Sequence, residues 1–368
     1  MLRNAGHHVV LYRRNNLEVQ AYRGLHKISL AKGAIWASDT RRDFLQLLRD
    51  ERPDVVHVHN TFMMISPSIY SACREMKVPV VQTLHNYRLL CPAATLFRKG
   101  NVCEECLGGS LWPSVKYGCY HDERSTTAVV ALMLTTHRLR GTWDREVTCF
   151  VALTEFSRSK FIEGGLPGHK IFVKPNFVHP DPCSRTAAGD YALFVGRLSP
   201  EKRVSTVLAA WKRLPQSIPI RVIGGGPDRP ALEAQAARDG LTNVQFAGQM
   251  LRAQTLAAIN NARFLVFSSE WYENFPVTIA EAFACRTPVI ASHIGAMQEI
   301  VADGRTGLFF APGDADDLAR KVEWAWSHPA EMQAMGNEAR KEYEARYTAE
   351  KNYPKLMEIY QRAIDSVK

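Results

Sequence analysis

At 368 residues, 46% of them hydrophobic, the chain is long enough for two domains that each bury a full core. Its net charge of +9 lies wholly in the first half: residues 1–180 hold 24 Lys and Arg against 15 Asp and Glu, and residues 181–368 hold 22 against 22. A basic half suits nucleic acid, an anionic membrane surface or an anionic substrate; with no Lys/Arg-rich block, RNA-binding signature or zinc-finger spacing, nucleic acid is set aside.

In chain order, Met1 to Leu11 reads as the end of a first helix followed by a second strand. On that reading the first strand of a doubly wound domain and its glycine-rich loop are missing, and either the protein begins earlier or the chain is impaired. Helical segments at Asp39–Glu51 and Ile69–Met76 alternate with strand-like runs at Asp54–His59, Val78–Leu84, Val147–Leu153 and Ile171–Val173. Strand–helix alternation indicates a parallel sheet. The stretch from Ser125 to Trp143 is helix-like, apolar at one end and basic at His137-Arg138-Leu139-Arg140. It reads as core packing or as a dock on a membrane surface.

Residues from His179-Pro180-Asp181-Pro182 to Gly189 read as a linker. Beyond it the alternation restarts, with strands at Tyr191–Gly196, Ile220–Ile223, Val244–Phe246, Phe264–Phe267 and Pro288–Ala291. The expected fold is α/β, two doubly wound Rossmann-like domains facing across a cleft. They span 1–180 and 181–347, and a helix at 348–368 packs back on the first. No apolar run approaches the roughly 18 residues of a membrane span, and no secretory signal opens the chain. A cytoplasmic protein is expected, at most peripheral at the inner face of a membrane.

Chemistry concentrates at strand ends, where open α/β sheets bind ligands. Gly196-Arg197 to Lys202 follows one strand, and two cations beside a helix start can converge on a diphosphate. Gly224-Gly225-Gly226-Pro227 follows another and would let a nucleotide approach the backbone; Arg229 rules out a dinucleotide fingerprint. Glu273-Asn274-Phe275-Pro276 then leads through Val277 to Glu281, two carboxylates eight positions apart across a strand-to-helix corner. His85, in Thr83-Leu84-His85-Asn86-Tyr87, ends a strand of the first half. Cys91, Cys103, Cys106 and Cys119 fall within thirty residues, in an insertion at 91–119. Such thiolates suit a structural zinc site, and four reduced thiols in a loop are the plain alternative. Cys73, Cys149, Cys183 and Cys285 look like ordinary core or surface residues.

Gly196-Arg197-x4-Lys202, the Gly225-Gly226-Pro227 turn, the Glu273-x7-Glu281 segment and the run from Gly295 through Glu299-Ile300-Val301 to Gly307-Leu308 resemble the retaining glycosyltransferases of family 4. The resemblance covers essentially the whole chain and implies a two-domain GT-B-type fold. It also implies a hexosyltransferase that moves sugar from a UDP- or GDP-hexose to a glycan or lipid-linked acceptor, in surface polysaccharide assembly. Arg197 and Lys202 would hold the donor diphosphate, beside Gly196 and Gly225. Glu281 would take the ribose hydroxyls, and Met250 would lie near the base. Glu273, with the backbone of Asn274, Phe275 and Pro276, would hold the transferred sugar; His85 would stand near that sugar and the acceptor. Catalysis would need no metal; a structural zinc is the further expectation. A non-catalytic nucleotide-sugar-binding partner is the competing reading, and an epimerase or phosphorylase a weaker one.

Overall fold

The computed structural model describes residues 1–15, 26–182 and 189–367, so Cys183 and most of the expected linker lie outside the described residues. The chain forms two compact units. The first comprises Met1–Arg98, Cys103–Lys174 and Tyr353–Lys368; the second comprises Lys99–Val102 and Pro175–Asn352.

In the first unit, β1 (Val56–Val58) and β2 (Val80–Thr83) precede the two-residue β3 (Phe97–Arg98), and the equally short β4 (Asn101–Val102) is counted with the second unit. Then follow β5 (Cys149–Ala152) and β6 (Ile171–Val173). The main sheet runs in the order β1-β2-β5-β6, with every pair parallel. All residues of β2 and β5 are buried, as strands covered on both faces require. The closing helix, Ala349–Asp365, supplies part of that cover. Its residues Leu356, Ile359, Tyr360 and Ala363 recur at helical spacing and pack with Val81, Cys149 and Val151.

The stretch from Ser125 divides into a helix at Arg124–Leu139 and a short one at Thr142–Arg145. Gly141 stands between them in the left-handed region, which interrupts the helical ladder. The strand expected at the end of Met1 to Leu11 does not form among the described residues: Val9-Val10-Leu11 pairs with none of them, and Val10 and Leu11 stay exposed. A strand without ladder partners has no intrinsic stability to fall back on.

The second unit holds β7 (Ala192–Val195), β8 (Ile220–Ile223), β9 (Val244–Gly248), β10 (Phe264–Phe267), β11 (Val289–Ser292) and β12 (Gly307–Phe310). These six form one parallel sheet in the order β12-β11-β10-β7-β8-β9. The strand order reverses between β7 and β10, a switch point of the kind beyond whose carboxyl ends open α/β sheets bind ligands. Phe194, Phe264, Trp211, Val222 and Ile290 anchor a core that the flanking helices close. Strand β12 begins within the Gly295 to Leu308 motif, where no strand was read, and its ladder with β11 runs from Val289–Gly307 to Ser292–Phe310. The architecture is therefore α/β, with two parallel-sheet units.

Candidate active site

The loop leaving β7 and the loop leaving β10 meet at a buried carboxylate. Glu273 is 7% exposed, and its Oε1 collects three donors. Lys202 Nζ forms an ion pair with it, while Ser269 Oγ and Trp271 Nε1 each donate at 2.7 Å. Glu273 Oε2 accepts no hydrogen bond from the described residues. Burying a carboxylate costs several kcal/mol unless partners replace its water. Here the partners sit on one oxygen and leave the other to accept from elsewhere.

Local geometry explains the meeting. The Glu273 amide donates to Trp271 O at 3.0 Å, a tight turn that folds the carboxylate back over Ser269. Ser268 Oγ donates to Lys202 O at 2.8 Å, and the Glu270 amide to Glu201 O at 3.0 Å, so the two loops are laced together. Arg203 Nε pairs with Glu270 at 2.8 Å. The expected helix start is a 3₁₀ turn at Pro200–Lys202, and the helix proper begins at Val204, with Arg203 in the left-handed region (φ 50°) between them. That turn points Lys202 toward Glu273.

The remaining donor-site candidates stand along the same strand edge. Arg197 is exposed, with no side-chain hydrogen bond or ion pair among the described residues. The Gly196 amide donates to Ile223 O at 3.0 Å, and the Leu198 amide to Gly225 O at 2.9 Å, which joins the β7 loop to the glycine turn after β8. A Cβ on Gly224, whose φ is +147°, would lie 1.8 Å from Gly196 O, and one on Gly226 would lie 2.2 Å from Leu198 O. Only glycine allows that approach. Met250, just past β9, is 39% exposed. Asn274 and Phe275 are buried, and Pro276 caps the helix Val277–Ala284 that carries Glu281. Glu281 Oε1 lies 3.5 Å from Arg252 Nε; burial raises its carboxyl above the usual range, and Arg252 opposes the rise.

In the first unit, His85 follows β2 at the sheet's carboxyl edge, in a cluster of imidazoles. His59 Nδ1 and His85 Nε2 share a hydrogen bond of 2.8 Å. His57, on β1, bonds Tyr360 Oη at 2.6 Å and Thr83 Oγ1 at 2.7 Å. Burial, then neighbouring imidazoles and Lys174, push His57 down to about 3; burial, then His59 and Lys174, push His85 to about 4. Lys174, just past β6, is 6% exposed and is lowered to about 8 by burial and by Lys355.

All four insertion cysteines are free thiols lining one cavity of about 20 Å³, with Arg98, Glu105 and Tyr117. Among the described residues, no group of three or more His, Cys, Asp or Glu side chains is arranged to hold a metal ion.

Reading the sequence missed Ser269, Trp271, Arg203 and Arg252 around the carboxylates, and His57, His59 and Lys174 around His85. Only His59 carried a visible signal, a His one position past a strand of the same sheet.

Two family models match nearly the whole chain between them: Glycosyltransferase Family 4 over residues 1–182, and Glycosyl transferases group 1 over residues 187–342. A glycogen synthase of Mycobacterium tuberculosis is 29% identical over 302 residues, 79% of this chain and 64% of that protein. O-antigen chain mannosyltransferase C of Escherichia coli is 25% identical over 183 residues, 49% of each chain. The chain thus aligns with less than two thirds of either relative's length. Anabaena HepE, solved with UDP, superposes with a TM-score of 0.65 at 18% identity, over 89% of this chain and 81% of that one. That likeness shows the fold.

The ion pair makes a testable demand. Lys202→Met leaves the Glu273 carboxylate buried without a cation and is expected to cost roughly 3 kcal/mol in urea unfolding. Adding Glu273→Leu should recover part of the loss, and additive costs in that cycle would show the pair to be uncoupled. The matched models and the two parallel-sheet units together place this chain among the glycosyltransferases with the GT-B fold.

Proposed function

We propose that the chain transfers a hexose, with retention of anomeric configuration, from a nucleotide-diphosphate sugar to a glycan or lipid-linked acceptor in surface polysaccharide assembly. The observation that carries this reading is the one-sided solvation of Glu273: three donors saturate Oε1 and leave Oε2 to accept from a sugar hydroxyl. A carboxylate so tied is suited to positioning the sugar, and the reading gives it no nucleophilic role. Lys202 then joins the sugar end of the donor to its diphosphate end. Arg197, exposed and without a protein partner among the described residues, supplies the second cation. Fixed cations and the amides of a helix start stabilise charge on a departing diphosphate without a metal. Glu281 takes the ribose hydroxyls, Met250 lies by the base, and His85 serves the sugar and acceptor. The UDP in HepE and the mannosyl transfer in the O-antigen relative's name support the donor and product classes.

Hydrolysis of UDP- and GDP-hexoses, followed by ¹H NMR of the released sugar, tests this. Turnover is expected with at least one donor, and Glu273→Gln should lower kcat on the order of 100-fold. Equal turnover in the variant would sink the assignment, and nucleotide-sugar binding without turnover would leave only a binding role. Transfer to an acceptor should give the anomer of the donor.

A membrane-borne acceptor is the reading that the surface of the first unit favours. No helix among the described residues is long and apolar enough to cross a membrane. Leu132 and Leu139 share a helix face two turns apart and are 56% and 85% exposed; Trp112, on a helix packed beside it, is 68% exposed. Lys116 and Arg124 lie on the same two helices. Sedimentation with anionic phospholipid vesicles should capture the protein, and Trp112→Ser with Leu139→Ser should release most of it. Equal capture of that double variant would refute the surface.

The insertion remains a proposed structural zinc site. Four sulfurs line one cavity with room for about one water-sized sphere, and thiolates are donors that a structural zinc takes; as they stand, the thiols form no ligand cage. Metal analysis after reducing, chelator-free purification should find about one zinc per chain, lost in Cys106→Ser; clearly substoichiometric zinc overturns the proposal.

A further inference from the structure

His59 follows β1 by one residue, His85 follows β2 by two, and the strands are parallel neighbours, so both rings stand at one sheet edge. Their centroids are 5.1 Å apart, and His59 Nδ1 faces His85 Nε2 at 2.8 Å. Beneath them, His57 stacks on His59 at 4.4 Å and is occupied at both nitrogens, by Tyr360 and Thr83. Tyr360 comes from the closing helix and is buried. His57 therefore offers nothing outward and acts as a platform.

A ring-to-ring hydrogen bond couples two tautomers. When His59 Nδ1 carries the proton and donates, His85 Nε2 is bare, so His85 carries its proton on Nδ1 and His59 Nε2 is bare. When His85 Nε2 donates, His59 Nδ1 is bare, His59 Nε2 is protonated and His85 Nδ1 is bare. In both states the two outer nitrogens, His59 Nε2 and His85 Nδ1, present one donor and one acceptor. Neither outer nitrogen is hydrogen-bonded among the described residues. Protonating either ring would turn the outer edge into donors alone and suit an anion.

We propose that His59 and His85 form a joint subsite for the hydroxyl groups of a neutral sugar, with His59 a binding residue in its own right and the positioning residue that sets the tautomer of His85. The inference rests on the glycosyltransferase reading for its substrate and on the ring geometry for its mechanism. A sugar hydroxyl both donates and accepts, so an edge with one of each is matched to it in either tautomer. The charged group facing the pair favours the neutral state: Lys174, just past β6, acts on both rings, while Lys355 of the closing helix acts on Lys174 and His57 is itself held neutral by burial. Burial lowers His59 and His85 in the same direction.

Two measurements on the full chain test this, and the first needs no turnover. Long-range ¹H–¹⁵N spectra at pH 7 should show His59 and His85 neutral and in the same tautomer, both Nδ1–H or both Nε2–H, still neutral at pH 5.5 and in inorganic phosphate. Opposite tautomers, or a ring protonated by phosphate, would overturn the proposal even if the enzyme is a glycosyltransferase. In the second, His59→Ala should lower kcat/KM for sugar transfer about 10-fold and move the acid limb of the profile to higher pH, as His85 loses one of the influences that lower it while its burial and Lys174 remain. His59→Asn, which keeps a polar group facing His85 Nε2, should recover much of the loss. An unchanged rate and pH profile in His59→Ala overturns the role of His59. Absence of transfer by the unaltered chain would count against the parent reading alone and leave the spectra to decide the pairing.

Discussion

A carboxylate only 7% exposed, at the point where a parallel sheet reverses its strand order, is the constraint around which the second unit is arranged. Glu273 is tolerated there because the β10 loop brings Ser269 and Trp271 to it and the β7 loop brings Lys202. Those loops are also bonded directly, the Glu270 amide to Glu201 O and the Ser268 hydroxyl to Lys202 O. The charge pair and the loop pairing support each other: without the turn Lys202 would not reach, and without Lys202 the buried charge would favour a looser loop. Such mutual support holds polar groups in fixed positions before a ligand arrives, as electrostatic stabilisation of a leaving group requires.

The strands were largely legible because parallel strands covered on both faces are short apolar runs with little alternation. Ile171–Val173, Ile220–Ile223 and Phe264–Phe267 coincide with their sequence readings, and the others differ by a residue or two at their ends. Gly307–Phe310 escaped because its glycine invites a turn, yet a Cβ there would meet Val289 O at 2.2 Å, so the glycine serves strand packing instead. Val9-Val10-Leu11 erred the other way: an apolar run satisfies the pattern, while a strand also needs a partner, which sequence does not display.

The candidate sites were legible one residue at a time. Glu273, Lys202 and His85 stand at strand ends, and strand ends can be read. Their partners could not be read, because pairing Lys202 with Glu273 spans 71 positions and pairing His57 with Tyr360 spans 303. Residue type was equally uninformative for Trp271 and Ser269, which read as turn residues and act as donors to a buried charge. Periodicity reports which face of an element is buried; it carries no information on which polar atoms converge beyond the ends of two strands.

The glycine turn after β8 has a consequence for how this edge can change over time. Gly224 and Gly226 lie against the oxygens of Gly196 and Leu198 with no room for a single carbon, so the backbones of the β7 and β8 loops behave as one rigid piece. A lineage that altered its ligand preference could not do so by reshaping that piece, since every substitution at the contact would part the loops that aim Lys202. Variation is confined to the side chains mounted at its rim, Arg197, Met250 and Arg252 among them, which can be exchanged without moving the frame.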